Sequence, residues 1–345
     1  MTHSKISLPR RGFLQRSAAA SAAIATGGLA FRPGMANAAE TELGIPGFPG
    51  PSVSSHSKVI IKALKLDEKH GWTLRWETRP TTDSYYNDFV SGAYESIDFG
   101  GLNVFSNLYN KGVPLKVVQA TVHWPTPVMV KADSGINTLA DLAGKRFGVD
   151  RSSFAYAYAV ASLKAAKLDP EKDLTVENVG FFQAPPRFLR GDFDAVVMLF
   201  EHAIDLLNKA PGQYKILVDS SESFAKAIGI QRAYQYQAVR DAWLTANPAG
   251  LPKVMATYAD LGQAFKVQSK ECVALLAKPK EELGASLDSK IGDVEYITGT
   301  PEGYKTEWVS KPVQSMGDDV QKELEAYHAL GLIERMPDRK MFFAS

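Results

Sequence analysis

The apolar residues of this chain fall into short runs that alternate with longer stretches of helical spacing. Beyond residue 40, the segments "ELGIPGF", "WTLRWET" and "LKVVQAT" have the length and composition of strands. Between them, "HSKVIIKALKLDEKHG" and "DSYYNDFVSGAY" carry apolar residues at helical spacing. Strands that alternate with helices of this length are typical of an α/β fold with mainly parallel sheets. We therefore predict an α/β protein.

The pattern runs through two similar cycles. Gly92 precedes Asp98 at the strand "SIDFGG" of the first cycle, and Gly191 precedes Asp194 at the strand "DAVVMLF" of the second. The repetition predicts two similar lobes, and because no low-complexity linker separates them, we expect crossing strands to join them. Beyond "AYQYQAVRDAWLTANP", which runs from a strand into a helix, the spacing to Leu332 is mostly helical, with "DVEYI" as a candidate short strand.

The tripeptide Arg190-Gly191-Asp192 resembles a cell-adhesion signal, but its surroundings favour another interpretation. Six apolar residues, 195–200, follow it directly and predict a buried strand. Gly191 suits the left-handed position just past a helix. We therefore interpret the tripeptide as a helix stop and turn, and expect the strand to bring Glu201 and His202 to its end.

The N-terminal segment has the organisation of an export signal. Arg10 and Arg11 stand in "PRRGFLQRS", the Ala-rich run "SAAASAAIATGGLAF" follows, and an A-x-A sequence ends at Ala38. Residues 1–38 contain no acidic residue, which disfavours an ordinary amphipathic helix. Paired arginines point to the twin-arginine route, with cleavage after Ala38.

Removal of that signal changes the charge of the chain. Of 39 basic residues, five lie in residues 1–38, so 34 remain against 38 acidic ones, a net charge near −4. This balance gives no general attraction to nucleic acid or to an anionic membrane. The 345 residues suffice for two domains, and no run beyond residue 40 has the ~18 apolar residues of a membrane span.

Motifs for catalysis and for metals are scarce. The single cysteine, Cys272, excludes an intramolecular disulfide and a multi-cysteine metal site, and its place in "SKECVALLAK" indicates a core position. The six histidines show no H-x-x-x-H or H-E-x-x-H spacing, and neither a nucleophile elbow nor a phosphate-binding glycine loop is present. We therefore predict no catalytic residues, no metal and no cofactor.

Several segments together resemble one family of transport proteins. "INTLADLAGKRFGV", "GDFDAVV", "QAVRDAWLTANPAGLPKVMATY" and "GLNVFSNLYNKGVPLKVVQ" are similar, in order and spacing, to segments of ABC-transporter substrate-binding proteins of the nitrate/sulfonate/taurine and thiamine-precursor group. The likeness covers most of residues 42–335. The chain departs from the group at Phe200-Glu201-His202, where many members carry a segment with Trp and Pro, so the ligands of the group do not transfer directly.

The resemblance implies the type II periplasmic binding protein fold, with two Rossmann-like lobes, a ligand cleft between them, and two crossing strands near 123–130 and 234–239. It divides the chain into the export signal 1–38, a first lobe of 39–125 and 237–345, and a second lobe of 126–236. It also implies a periplasmic protein, acting as a monomer, that delivers a small molecule to an inner-membrane ABC permease and its ATPase.

Loops beyond the carboxyl ends of the strands are the expected ligand-binding positions in such sheets. The candidates that they supply are Ser52, Ser54, Tyr85, Asn103, Trp124, Arg151, Ser152, Ser153, Phe154, Arg187, Glu201 and His202. A helix start with Arg151, Ser152 and Ser153 is suited to an anion, although the serines can equally be helix caps. Trp124 can present a ring to a planar ligand or pack at the hinge.

These candidates leave more than one function open. The helix start favours a small organic anion, a sulfonate or a carboxylate. Glu201 and the aromatic loop residues favour a neutral or cationic heterocycle, such as a pyrimidine precursor. An exported enzyme on the same fold, or a partner of a sensor, is a further alternative.

Overall fold

The predicted α/β class is confirmed by the structure. A computed structural model describes residues 41–49, 52–276 and 303–342, so the expected export signal and "DVEYI" lie outside the described residues. The strands are β1 Thr41–Gly44, β2 Trp72–Arg75, β3 Ser96–Gly100, β4 Leu115–His123, β5 Pro127–Lys131, β6 Arg146–Val149, β7 Thr175–Asn178, β8 Ala195–Val197, β9 Tyr214–Asp219, β10 Gln235–Arg240 and β11 Glu307–Pro312.

The helices fall between these strands and after the last of them, and 3₁₀ turns occupy Leu139–Leu142, Val313–Met316 and Arg339–Met341. The α-helices are α1 Val53–Ala63, α2 Leu66–Lys69, α3 Thr82–Ser91, α4 Leu102–Asn110, α5 Phe154–Ala165, α6 Pro170–Asp173, α7 Ala184–Arg190, α8 Phe200–Lys209, α9 Ser220–Ile228, α10 Asp241–Ala246, α11 Gly250–Val267, α12 Ser269–Leu276 and α13 Gly317–Ala329.

Two larger sheets organise the described chain. The first has the strand order β11-β4-β10-β3 and the second β7-β6-β8-β5-β9, while β1 and β2 form a separate parallel pair. The chain passes from the first sheet to the second between β4 and β5, and returns between β9 and β10. This double passage agrees with the two crossings expected from the sequence.

The expectation of mainly parallel sheets is wrong. β10 lies antiparallel to β3 and β4, and β11 to β4. β5 lies antiparallel to β8 and β9, whereas β6 is parallel to β7 and β8. The crossings account for the pairs of β5 and β10, because each of these strands arrives from the other sheet and enters against the direction of its neighbours. The antiparallel strand β11 does not arrive by a crossing.

Both faces of the second sheet are covered. On β5, Val128 and Val130 belong to the main core, whereas Met129 between them belongs to a smaller core with Phe188 of α7 and Leu206 of α8. Successive side chains of a strand point to opposite faces, so a sheet buried on both faces reads as a continuous apolar run. This burial explains why its strands are so apolar in the sequence.

Three local predictions need correction. The long helix predicted from His56 is broken after Ala63, because Lys65 has a left-handed φ of 53° and starts a second short helix. The strand predicted over 195–200 ends at Val197, and Phe200 already begins α8. Its apolar run is divided between a strand and a helix start, which periodicity cannot separate. β11 lies in a region predicted to be helical.

The tripeptide at Arg190 is a helix stop, as predicted. Gly191 ends α7 with a left-handed φ of 89°, and Gly92 ends α3 in the same way with a φ of 83°. Asp192 accepts hydrogen bonds from Arg187 and Arg190, which fixes the turn. The repeated glycine therefore has the same structural role in both cycles.

The lobe boundaries at 125/126 and 236/237 stay a prediction. No helix among the described residues is long and apolar enough to cross a membrane.

Glu323 of α13 is a fully buried carboxyl group. Tyr236 donates a hydrogen bond to its Oε2 at 2.8 Å, and Tyr327 donates one to its Oε1 at 2.6 Å. Burial raises the pKa of Glu323 from 4.5 to about 7, although the two hydroxyl donors act in the opposite direction. The folded protein therefore holds this proton more tightly than the unfolded chain does.

Because the folded pKa is the higher one, Glu323 lowers the free energy of unfolding as the pH rises from about 4.5 to about 7. We expect Glu323→Gln, relative to wild type, to gain about 3 kcal/mol of stability between pH 4.5 and pH 8. Urea unfolding of both proteins at several pH values measures this. Glu325→Gln on the exposed side of α13 is the matched control, and equal pH profiles for the two variants would contradict the assignment.

Candidate functional site

Loops from the β1–β2 pair and from the two larger sheets meet at one place, which we call the junction. We define it by Phe48, Thr82, Gly101 and Trp124 on the first side and by Asp150, Phe154, Phe182 and Glu201 on the second. Each of these residues lies in a loop or a first helical turn that follows a strand, with Phe48 after β1, Trp124 after β4 and Glu201 after β8. The rule that ligands bind beyond the strand ends therefore selects this junction.

Direct contacts join the two sides of the junction. Thr82 donates a hydrogen bond to Asp150 Oδ2 at 2.7 Å, and the rings of Phe48 and Phe182 lie 5.7 Å apart. A Cβ atom placed on Gly101 would lie 2.5 Å from Phe154 Cβ, so only glycine permits this approach. The two sets of loops are thus in van der Waals and hydrogen-bond contact.

Trp124 and Glu201 form the buried polar contact of the junction. Trp124 Nε1 donates a hydrogen bond to Glu201 Oε2 at 3.1 Å, and the two residues are 4% and 1% exposed. The Trp124 ring lies 5.7 Å from that of Phe154. Glu201 is in the first turn of α8, where the helix dipole favours a carboxylate. The strand-end position predicted for Glu201 and His202 is therefore wrong.

His202 and Asn103 border the same region. The His202 ring packs edge-on against Phe182 at 5.6 Å, and burial lowers the pKa of His202 to about 4, so its imidazole is neutral at pH 7. Asn103 is buried in the first turn of α4, and its Oδ1 has no hydrogen-bond partner among the described residues. Both side chains present uncharged polar atoms.

A buried ion pair supports the first side of the junction. Lys58 Nζ of α1 lies 2.6 Å from both carboxylate oxygens of Asp98 on β3, and both side chains are fully buried. Tyr85 and Tyr258 donate hydrogen bonds to the same carboxylate at 3.2 and 2.6 Å. Burial lowers the pKa of Lys58, while Asp98 acts to raise it.

This ion pair is connected to the junction through Tyr85. The Tyr85 ring stacks on Phe48 with a centroid distance of 4.5 Å. Ser54, a predicted site residue, accepts a hydrogen bond from Lys58 Nζ at 3.2 Å. Ser52, also predicted, caps α1 by accepting a hydrogen bond from the Ser55 N–H. These two serines therefore have identified structural partners.

An anion was expected to bind at the start of α5. The side chains there already have partners within the protein. Arg151 pairs with Glu171 at 2.8 Å and lies over the ring of Tyr156. Ser152 donates a hydrogen bond to Asp150 Oδ1 at 2.7 Å, and Ser153 caps α5. Ser153 thus follows the capping alternative, whereas Ser152 is bound to Asp150.

The second predicted arginine also lies in an ion-pair network. Arg187 contacts Glu177 and Asp192 at 2.8 Å each and lies over the Phe193 ring. The structure gathers Tyr85, Asn103, Trp124, Phe154, Glu201 and His202 at or beside the junction, and it places Arg151 and Arg187 in these separate pairs.

Several residues of the site were missed in the sequence. Phe48 ends the predicted strand "ELGIPGF", and Phe182 directly follows the strand-like segment "TVENVGF". The strand-end rule could therefore have found both. Lys58 and Asp98 are 40 residues apart with no local signal that connects them.

Comparison with known proteins finds one family model that matches part of the chain. Residues 100–257 match the model of the NMT1/THI5-like family. None of the curated proteins compared with the chain matches it.

Solved structures show the fold of most of the chain. The periplasmic aliphatic sulphonate binding protein SsuA from Escherichia coli is 18% identical, with a TM-score of 0.67 over 88% of this chain and 92% of that one. The alkanesulfonate-binding protein SsuA from Xanthomonas axonopodis pv. citri, bound to MOPS, is 17% identical, with a TM-score of 0.70 over 88% and 99%. The predicted type II periplasmic binding protein fold and the resemblance to this group are confirmed.

The desulfurization enzyme DSZB has a similar fold. It is 14% identical, with a TM-score of 0.57 over 87% of this chain and 96% of that one. Binding proteins and an enzyme therefore share this architecture, so the fold alone does not separate the two classes.

We expect Asp98→Asn to destabilise the protein by about 3–5 kcal/mol, because it leaves the buried Lys58 ammonium without a counter-charge. Urea unfolding followed by circular dichroism measures the change. Asp260→Asn is the control, since Asp260 forms a partly exposed pair with Lys69 whose loss should cost less than about 1 kcal/mol. Similar losses for both variants would contradict the importance of the buried pair.

Proposed function

We propose that this chain is a periplasmic solute-binding protein that holds a small organic molecule at the junction and delivers it to an ABC permease with its ATPase. The observation that carries the proposal is the meeting of strand-end loops from two sheets around aromatic rings and a few buried polar groups. Sites for small molecules have this composition. The printed names of the two SsuA proteins, which describe binding proteins of the same fold, support it.

The proposed mechanism is closure of two lobes around the ligand. Contacts from both sides, such as those of Thr82 with Asp150 and of Trp124 with Glu201, stabilise the closed arrangement. A ligand that contacts both sides shifts the population toward that arrangement. The permease would then recognise the closed form. The export signal of residues 1–38 and action as a monomer are parts of this proposal.

The charges around the junction favour a neutral or cationic planar ligand. The cations of the neighbouring loops and helices, Lys58, Arg151 and Arg187, are each paired with a carboxylate. Asp150 and Glu201 place two carboxylates at the junction itself. The rings of Phe48, Trp124, Phe154 and Phe182 supply faces for a flat molecule. Of the ligand classes considered from the sequence, the heterocycle therefore fits this geometry best.

A small organic anion remains the second candidate. The names of the two SsuA proteins favour it, since they describe binders of sulfonates. In this chain, an anion would have to be held by neutral donors, such as the serine-rich start of α1 and the Asn103 amide.

Binding without turnover is the proposed activity, although DSZB shows that this fold also occurs in an enzyme. Burial raises the pKa of Cys272, the single thiol of the chain, to about 11. At neutral pH it is therefore not a thiolate nucleophile. Recovery of the ligand unchanged after incubation with the protein tests this part of the proposal.

Glu201→Gln is expected to weaken binding of a cationic heterocycle by about tenfold or more, because hydrogen bonds to charged groups contribute about 1.5–3 kcal/mol. The glutamine oxygen can still accept the Trp124 hydrogen bond, so the fold should be retained. Isothermal titration of the mature chain against an aminopyrimidine, a neutral pyrimidine, taurine and an aromatic sulfonate measures the affinities.

Glu171→Gln, on the far side of Arg151, is the matched control and should leave these affinities unchanged. Binding of sulfonates alone, with no loss in Glu201→Gln, would remove the heterocycle proposal in favour of the anion. A panel without any binder would count against the junction as a site for either class.

We expect Arg151→Ala to leave ligand affinity within about twofold, because the guanidinium is held by Glu171. Its loss should cost less than about 1 kcal/mol of stability, as for other exposed ion pairs. The same titrations and urea unfolding measure both quantities. A tenfold loss of sulfonate affinity in Arg151→Ala would instead show that the arginine leaves Glu171 to contact the ligand.

A further inference from the structure

A second group of potential ligands lies at the crossings, where His123 precedes Trp124 of the junction. His123 ends β4, Asp219 ends β9, and Glu222 lies in the first turn of α9. One ligand atom from each of the three lies within 4.8 Å of the other two. His123 and Glu222 also line an open surface cavity of about 500 Å³, which gives an ion access from solvent.

The hydrogen bond of His123 is compatible with a metal ligand. Its Nδ1 lies 2.9 Å from the carbonyl oxygen of Ala233, an acceptor that requires the proton to be on Nδ1. The other nitrogen, Nε2, then carries a free lone pair. Metal-bound histidines in proteins almost always donate the second ring N–H to a carbonyl or a carboxylate in this way.

Asp219 supplies an independent indication. Its Oδ1 accepts hydrogen bonds from the backbone N–H groups of Thr126 and Ser221 and from the Ser221 hydroxyl. The backbone N–H of Glu222 is also directed at this carboxylate, but Oδ2 has no hydrogen bond of regular geometry among the residues that the structure describes, and the residue is only 4% exposed. A buried carboxylate oxygen without a regular donor is uncommon and has room for a water or an ion.

We propose that His123, Asp219 and Glu222 bind one divalent transition-metal ion, with zinc as the probe. One imidazole and two carboxylates are ligands that zinc accepts, at about 2.0–2.2 Å, and a water can take the fourth position. Glu222 is exposed and therefore free to move the short distance that this geometry requires. An imidazole ligand disfavours Ca²⁺ and Mg²⁺, which prefer oxygen.

Two cationic side chains near the proposed site affect its expected affinity for a metal ion. Lys226 and Arg232 line the same cavity and oppose a cation, although Arg232 is 3.6 Å from Glu307. Since His123 belongs to the first sheet and Asp219 to the second, the ion would join the two crossings. Metal binding should therefore stabilise the folded chain as well as occupy a site.

Zinc titration of the mature chain, after treatment with a chelator and dialysis, tests the proposal. We expect one Zn²⁺ per chain by elemental analysis and calorimetry, an increase in Tm, and weaker binding of Ca²⁺ and Mg²⁺ than of Zn²⁺. The measurement needs no solute ligand, so its result is independent of the proposed function.

Glu222→Gln is the informative variant because the side chain is exposed and the fold should not depend on it. It is expected to weaken zinc binding by about tenfold or more and to remove most of the Tm increase, while Lys226→Gln should strengthen binding. Glu325→Gln is the control carboxylate and should bind zinc as wild type does. Sub-stoichiometric binding, binding unchanged in Glu222→Gln, or a preference for Ca²⁺ would overturn the proposal.

Discussion

The buried pair of Lys58 and Asp98 is the constraint on which the first side of the molecule depends. Two charges removed from water are tolerated only when they meet each other and have further hydrogen bonds. Tyr85 and Tyr258 supply those bonds, so α3 and α11 are fixed against α1 and β3 by one carboxylate. The position of Phe48 at the junction follows, since its ring stacks on Tyr85.

The first crossing connects the two proposed sites through three residues. Trp124 extends into the junction, where its Nε1 donates a hydrogen bond to Glu201. The backbone N–H of Thr126 donates a hydrogen bond to Asp219 at the proposed metal site. A short connection with both ends held leaves little freedom for either side chain to move alone. Any rearrangement between the sheets must therefore act on the junction and on the His123–Asp219 pair together.

The sequence predicts the helices, the strands and the loops of this fold well, because these depend on local spacing and on glycines such as Gly92 and Gly191. It predicts strand direction poorly, since the antiparallel entry of β5 and β10 results from a passage between sheets that no local pattern records. The same limit applies to the site. Trp124 and Glu201 follow from the strand-end rule, but the partner of Arg151 lies 20 residues away, and its pairing removes the cation on which the anion prediction rested.

The charge of the junction shows why ligand class cannot be taken from fold. Proteins named for sulfonate binding superimpose on this chain at 17–18% identity, a level at which the backbone is shared and the side chains of the cleft are free to differ. Here the departure from the family pattern falls on Glu201, whose carboxylate is buried beside Trp124. A buried carboxylate repels an anion at short range far more strongly than it would in water, because the low polarity of its surroundings screens it poorly. If the junction holds the ligand as proposed, the carboxylate at the start of α8 would disfavour an anion there whatever the fold shares with sulfonate-binding proteins.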